Sequence, residues 1–472
     1  MASLPAVCLP EHRSAILWAA ILASSMGFID SSVTAIALPA IRTALHASLT
    51  AAQWISGAYL LALAALLLVG GAAGDRFGTA RMFGLGIALF VISSLGCAAA
   101  FSPVQIVAAR AVQGMAAALM VPSSMAIIGR AYPRAERGRA LGLWAAASTA
   151  TTALGPVLGG IILTYGGDQA WRWIFALNLP LGALAFWLLW RRALPDPGQP
   201  GVPIDLVGGA LATAGLGLMA WALSAQSNAA VTGLIGMVCF AAFLAWEART
   251  PHPMIRLQLF ANRAFSATNL ATFLLYFSIT GISFFLPMVA ISAWHVSALE
   301  VTAAFLPISV LIAVLSAPVG RLADRIGPGP LMTAGAVLVG LSQIGLALTA
   351  PLAAFWQACV PLMVVSGLGM ALVVAPLTVA VMAAATDAEQ GAASGINNAV
   401  ARTASLAAVA VMGRLAAQGY GAAGGAGLPG FGLTATGPAH AAATAIAFAA
   451  ITAVAAVAAI LSAVVAAWGL RR

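Results

Sequence analysis

Apolar residues run in stretches of about twenty along nearly the whole chain, each closed by a short break carrying arginine, proline or glycine. A helix rising about 1.5 Å per residue needs about twenty such residues to cross a hydrocarbon core of about 30 Å. The strands of a membrane barrel would instead alternate polar and apolar positions in pieces of about ten, and the chain shows no such alternation. The breaks predict spans at 14–37, 52–74, 81–101, 103–128, 140–165, 171–190, 204–224, 229–246, 265–291, 302–320, 330–349, 355–383, 391–416 and 439–468. The pattern therefore predicts an all-α integral membrane protein of fourteen transmembrane helices with both ends on one side. The first run, from about Ser14, exceeds the roughly 7–15 apolar residues of a cleavable signal and contains Asp30, so it is expected to stay as the first span.

Composition sharpens this picture. Of 472 residues, 62% are hydrophobic and 7% charged, where a soluble globule carries roughly a quarter charged. The net charge of +9 is spread one or two residues per loop, unlike the clustered basic face of a nucleic-acid binder. All 21 basic residues are Arg, and without a Lys the chain cannot form a phosphate-binding Walker loop, so it is not by itself an ATP-driven pump of that kind. Cys8, Cys97, Cys239 and Cys359 lie far apart, with no metal or redox spacing. No metalloprotease or nucleophile-elbow motif is present, and neither an enzyme nor a cofactor is expected. With an inside N-terminus, sixteen Arg fall in inner loops and three (Arg42, Arg172, Arg414) in outer ones. Positively charged loops stay in the cytoplasm, which predicts cytoplasmic termini in a bacterial inner membrane.

Two breaks repeat one another. "GGAAGDRFGTAR" (70–81) and "GRLADRIGPG" (320–329) share G-x-x-x-D-R-x-G at Gly71, Asp75, Arg76, Gly78 and at Gly320, Asp324, Arg325, Gly327. With spans seven and eight as an insert, both fall in the second loop of a six-helix half. The chain thus divides into an N-terminal bundle (1–193), two inserted helices with a linker (194–264) and a C-terminal bundle (265–472), the internal repeat by which secondary transporters alternate access. The second glycine of each motif permits a tight turn. The Asp stands near the start of the next helix, whose positive end attracts a carboxylate, and the Arg can pair with a neighbouring helix. Such contacts form in one conformation and break in another, as a conformational latch does.

These loops resemble the signature loop of the major facilitator superfamily, and fourteen spans resemble its drug:proton antiporter branch of multidrug exporters. "FIDSSVTAIALPAI" (28–41), "RAVQGMAAAL" (110–119), "LGPVLGG" (154–160), "WRWIFALNLPLG" (171–182) and "GAASGINNAVARTAS" (391–405) are similar to that branch's motifs in the first, fourth, fifth, sixth and penultimate helices of the family fold. The family loop places two basic residues directly after its second glycine; here Thr79 and Ala80 stand there, followed by Arg81. The resemblance implies a proton-coupled antiporter that exports lipophilic drugs or toxic compounds. A dedicated exporter of a metabolite and a non-transporting membrane sensor are the alternatives.

Asp30 is the one acid well inside a predicted span. A carboxylate there costs several kcal/mol unless paired, solvated or protonated, and marks an ion pathway. Asp30 lies about 13 Å below the outer end of span one and Arg110 about 10 Å below that of span four, counting about 1.5 Å per residue. They share a depth and form the candidate proton-coupling pair, a role the resemblance also implies. In "LGPVLGG", Gly155, Gly159 and Gly160 give a small packing face and Pro156 can kink the helix. The resemblance implies a hinge there that blocks proton leak.

Trp54, Tyr59, Trp144, Thr149, Asn269, Tyr276, Phe277, Gln343, Asn398 and Arg402 are candidates for a mainly aromatic and apolar substrate cavity. The role of Arg402 stays open between substrate contact, inner gate and packing. Asn178 and Pro180 read as a structural break, and the Gly/Ala-rich stretch 417–438 as a flexible connector. Scarcity of membrane acids points to neutral or monocationic lipophiles. The expected partners are such a substrate, protons and the lipid bilayer, with no nucleic acid, and the expected state is a monomer.

Overall fold

A computed structural model describes residues 7–167, 169–224, 228–386, 389–434 and 437–470, the side chains of residues 134, 135 and 149 excepted. The N-terminal half comprises α1 (Arg13–Ala44), α2 (Leu49–Phe77), α3 (Thr79–Ala98), α4 (Pro103–Ala131), α5 (Arg134–Tyr165) and a sixth span broken into α6 (Trp171–Ala176) and α7 (Asn178–Arg192). Helices α8 (Leu206–Ser224) and α9 (Ala229–Glu247) follow, then α10 (Arg263–Ser292), α11 (Ala298–Ile326), α12 (Pro328–Thr349), α13 (Val360–Ala383), α14 (Gln390–Tyr420) and α15 (Pro438–Gly469). Fourteen spans among the described residues are long and apolar enough to cross a membrane. Most overrun the predicted ends. The first reaches Ala44 instead of 37, and α11 covers Ala298–Ile326 instead of 302–320. Prolines 39, 307 and 318 stay inside these helices, since neighbouring helices can satisfy the backbone groups that proline frees.

Local chemistry repeats between the halves. Ser48 caps α2 by accepting from the Ala51 N–H at 3.1 Å, and Ser297 caps α11 by accepting from Glu300 N–H at 3.2 Å, with Glu300 closing a capping box. Gly78 and Gly327 then turn the chain into α3 and α12 with φ of +99° and +84°, a region that favours glycine.

The apolar interior divides by depth, with inner denoting the side on which the N-terminal end of α1 and the C-terminal end of α15 lie and outer the opposite side. Toward the outer ends one core is shared by both bundles, joining Val33, Leu38 and Ile41 of α1 and Ile55 of α2 to Phe285, Met288, Val409, Met412 and Phe448 of the C-terminal half. Toward the inner ends there are two main cores, one built from the N-terminal bundle (Met26, Phe83, Phe90, Ile127) and one from the C-terminal bundle (Leu275, Val339, Met370, Ala459). The bundles therefore share a core at one end, while toward the other their contact among the described residues includes Gly395 of α14 against Leu68 of α2. The seal is reinforced by Arg42, whose Nη1 donates to the Phe431 carbonyl at 2.5 Å, and by Gln53, whose Nε2 donates across the bundles to the Val409 carbonyl at 2.7 Å.

The stretch after α14 is not a free connector. Phe431 is buried and meets Phe285 and Tyr420 edge-on, and the Tyr420 hydroxyl donates to the Pro429 carbonyl at 2.5 Å. The composition suggested flexibility because small residues dominate the count, whereas two aromatics decide the docking. The inserted helices pack on each other through Gly215 against Phe240 and Gly236 against Met219. α8 lies along the seam between the bundles, with Gly217 facing Leu61 of α2 and the Ala222 carbonyl accepting from Arg414 of α14 at 3.4 Å.

Candidate functional site

Asp30 is fully buried on α1, and Arg110 of α4 forms a short hydrogen-bonded ion pair with its Oδ2. Oδ1 accepts from Gln113 Nε2 at 3.0 Å and from Asn178 Nδ2 at 3.5 Å. Ser94 Oγ ties the two amides together, accepting from Gln113 at 2.8 Å and from Asn178 at 3.1 Å. Arg110 is itself over-provided with partners: its Nε donates to the Ile55 carbonyl at 3.0 Å and its Nη1 to Gln113 Oε1 at 2.6 Å. Its guanidinium lies 4.4 Å from the centre of the Tyr59 ring, a favourable cation–π contact. Removing two charges from water costs several kcal/mol per ion and is offset only by close pairing with every remaining donor and acceptor occupied. The network supplies close pairing from five spans and leaves one buried acceptor, Asn178 Oδ1, without a partner.

Sequence reasoning found Asp30 and Arg110 because charge stands out in an apolar run, but passed over Gln113 and Ser94. It also read Asn178 as a break. The break is real, since α6 ends at Ala176 and α7 begins at Asn178, and it delivers a buried amide to Asp30. The available signal for Gln113 was its position three residues after Arg110, on the same helix face.

The "LGPVLGG" motif divides its glycines between two neighbours. Gly155 lies against Ser32 and Ile29 of α1, and Gly159 against Val33. Gly160 lies instead against α11 of the other bundle, where a methyl group would stand 2.8 Å from Leu299 Cα and 2.9 Å from the Ala298 carbonyl oxygen. The motif thus connects the helix carrying Asp30 to the outer seal. Pro156 remains inside α5.

At the inner face, Asp75 and Arg76 form the last turn of α2, Asp75 exposed. The carboxylate at the start of α3 is Asp196, from the linker after α7. It accepts from Ala80 N–H at 3.3 Å, from Gly198 N–H at 3.3 Å, and from both terminal nitrogens of Arg130 at 2.8 and 3.1 Å. Burial would raise its pKa, and these hydrogen bonds with the Arg130 charge more than offset it, holding the carboxyl below its ordinary value. Arg130 also donates to Thr79 Oγ1 at 2.9 Å, so Thr79 engages a cation from α4 where the family loop carries its own. Gly78 runs against the Asp196 carbonyl, and Gln199 N–H donates to the Asp75 carbonyl at 2.8 Å. In the second copy Gly327 makes the turn, Gly320 lies on α11 near Ala375, and Asp324 and Arg325 are exposed. Gly71 faces Pro122 of α4.

The cavity candidates separate. Arg402 is half-buried on α14, Tyr59 is buried on α2 against the Arg110 guanidinium, and Tyr276 is half-buried on α10. Trp144 donates to Ser24 Oγ of α1 at 2.9 Å, and Phe277 stacks with Phe273. Trp54 turns instead to the insert, 5.6 Å from Trp221 between ring centres and donating to Ser224 Oγ at 3.1 Å. Asn269 is buried and accepts from Asn397 at 3.2 Å. Asn398 is exposed and donates to the Ser394 carbonyl of its own helix. Gln343 is fully buried within the C-terminal bundle, and the Thr149 side chain lies outside the described residues. Among the described residues no group of three metal-ligating side chains gathers.

Comparison with known proteins agrees with this architecture. The model of the Major Facilitator Superfamily matches residues 20–410. The methylenomycin A resistance protein of Bacillus subtilis is 32% identical over 84% of this chain and 87% of its own length. The tetracenomycin C resistance and export protein of Streptomyces glaucescens is 30% identical over 86% and 77%. Among solved structures, an inward-facing, unoccupied bacterial homologue of the human lysosomal transporter Spinster shares the fold with a TM-score of 0.70 at 16% identity, over 98% of this chain and 97% of that one. The inward-open xylose transporter XylE of E. coli gives 0.65 at 16% identity, over 97% and 96%. With a family match across most of its length, the chain belongs to the major facilitator superfamily and is a multi-pass membrane transporter rather than an enzyme.

Proposed function

We propose that the protein is a proton-coupled antiporter that exports lipophilic neutral or monocationic compounds across the cytoplasmic membrane, working as a single chain with both termini in the cytoplasm. The observation that carries this reading is the fully buried Asp30–Arg110 pair, set where the shared outer core gives way to the separate N-terminal inner core. Relatives named for methylenomycin and tetracenomycin resistance support export of a small organic cargo.

The geometry suits exchange. An ionised Asp30 is held by Arg110, Gln113 and Asn178. When a proton neutralises it, Arg110 keeps the Ile55 carbonyl, Gln113 Oε1 and the Tyr59 ring as partners, so its charge is not stranded. Movement of one proton down about 150 mV releases roughly 3.5 kcal/mol, enough for a several-hundredfold gradient of a neutral compound at about 1.36 kcal/mol per decade.

The test is uptake of a lipophilic fluorescent cation into inverted membrane vesicles carrying the native chain or Asp30→Asn. Uptake driven by a pH gradient is expected only for the native chain, while Asp30→Asn retains downhill equilibration of the same compound. Equal accumulation by both would remove Asp30 from the coupling step.

A further inference from the structure

The buried network around Asp30 has an uncharged counterpart in the other bundle. Asp30 stands nine residues before Pro39, as Ser278 stands nine before Pro287. Ser94 stands sixteen residues after Gly78, as Gln343 stands sixteen after Gly327. Gln113 precedes Pro122 by nine residues and Ser366 precedes Pro376 by ten. Ser278, Gln343 and Ser366 are all fully buried.

Their depth is fixed by what flanks them. On α10, Ser278 lies between Leu275 of the C-terminal inner core and Ile282 of the shared outer core. On α12, Gln343 lies between Val339 and Leu346 of the same two cores. On α13, running the other way, Ser366 lies between Met370 and Met363. Three helices of one bundle, with α13 packed against both α10 and α12, thus place a polar residue at the level where one core gives way to the next, the level Asp30 occupies in its own bundle between Met26 and Val33.

The hydrogen-bonding capacity of this layer is unused by the protein. Ser278 Oγ, Ser366 Oγ, Gln343 Nε2 and Gln343 Oε1 have no hydrogen-bond partner. Several other hydroxyls on these spans bond back to a carbonyl four residues earlier, as Thr272 of α10 does to Thr268 at 2.8 Å and Thr333 of α12 to Gly329 at 2.9 Å; Ser278 and Ser366 do not. Leaving a buried polar group unpaired costs about 1–3 kcal/mol, and four gathered at one depth call for a shared partner. A buried water makes about three hydrogen bonds and needs two to four polar neighbours. The set supplies one obligate donor, one obligate acceptor and two hydroxyls that serve as either.

We propose that Ser278, Gln343 and Ser366 form a water-binding site of one or two molecules, the neutral repeat-mate of the Asp30 network. The C-terminal bundle then meets the change of core with bound water where the N-terminal bundle uses an ion pair, and its layer rearranges without taking up a proton. This inference does not depend on the substrate or on coupling.

The sign of a stability change tests it on the full-length protein in detergent. If the four atoms were unpartnered, Gln343→Met would replace an orphaned amide by an apolar group of similar size and raise the melting temperature. If water bridges them, Gln343→Met strands the two hydroxyls and lowers it. The expected pattern is a fall for Gln343→Met, a sub-additive fall when Ser278→Ala is combined with it, and recovery toward native in the triple variant with Ser366→Ala. A rise for Gln343→Met, or additive losses through the triple variant, overturns the proposal. So does a high-resolution density map in which no solvent peak lies within hydrogen-bond reach of Ser278 Oγ, Ser366 Oγ and the Gln343 amide.

Discussion

Gly160 of α5 lies against the backbone of α11 at Leu299, where any side chain would have to displace the facing helix: an added methyl would stand 2.8 Å from Leu299 Cα and 2.8 Å from Thr302 Cγ2. The adjacent turn is pinned as well, Leu299 N–H donating to Thr164 Oγ1 at 3.2 Å. Packed helices with backbone in contact do not yield by small amounts, so Gly160→Val is expected to pry the outer ends apart. Distances between spin labels at the outer ends of α5 and α11 should lengthen and export should fall at least tenfold. Gly142→Ala, a position on the same helix with nothing within 4 Å, should behave as native.

The opposite flank of the seal depends on Gln53, which sits at the foot of Gly413 and donates to the Val409 carbonyl. Gln53→Ala removes the cross-bundle donation to Val409 and a longer one from the same nitrogen to Ala410 at 3.4 Å, together worth about 1 kcal/mol, with little change inside either bundle. The expected result is a shift of the equilibrium toward outward opening by about fivefold, from that figure at about 1.4 kcal/mol per decade. Solvent accessibility of a cysteine placed near Ile55 would report it, and an unchanged accessibility would show that Gln53 does not hold the seal.

How far the sequence carries depends on whether a residue's meaning is local. The spans are local, because twenty apolar residues in a row have one plausible fate in a bilayer. Asp30 and Arg110 are local in the same sense, conspicuous by cost. Asp196 is not: "LPDPGQP" reads as linker, and only the return of that linker to Ala80 and Arg130 reveals it on the α3 N-terminus. Trp54 was a reasonable cavity candidate by type, but α8 occupies the side it faces, and the position of an insert cannot be read from the residues it covers. Asn178 carried both meanings at once, as a helix break and as a network member.

Gln113 holds Asp30, Arg110 and Ser94 together through one amide. Gln113→Leu keeps the volume and removes every one of those bonds, leaving Asp30 Oδ1 with Asn178 alone. A loss of about 1–3 kcal/mol of stability is expected because the one remaining bond to that buried oxygen is long at 3.5 Å and satisfies it poorly, read as a fall in melting temperature. Asn178→Ala should cost less, since its bond to Asp30 is long at 3.5 Å. The reverse ranking would mean that the kink at α6–α7, and not the amide, is what Asn178 supplies.

Asp196 gives the inner face a clear pH expectation. Its carboxyl is held below the ordinary value by Arg130 and two backbone N–H groups that outweigh burial. A carboxyl whose folded pKa is depressed contributes stability that is present above the unfolded value near 3.9 and lost only as pH falls through the folded value. The contact of the 194–202 linker with α3 and α4 should therefore be constant from about pH 5 to pH 8 and weaken only in stronger acid. Hydrogen exchange at Ala80 and Gly198, the two amides that donate to Asp196, would show this as protection that is flat across that range once the intrinsic pH dependence is removed. Asp196→Asn should abolish the protection at every pH, because the amide cannot accept the paired donation of Arg130. A native chain that loses protection between pH 8 and pH 5 would show that another group governs the contact, and Asp75, exposed beside it on the last turn of α2, would be the residue to substitute next.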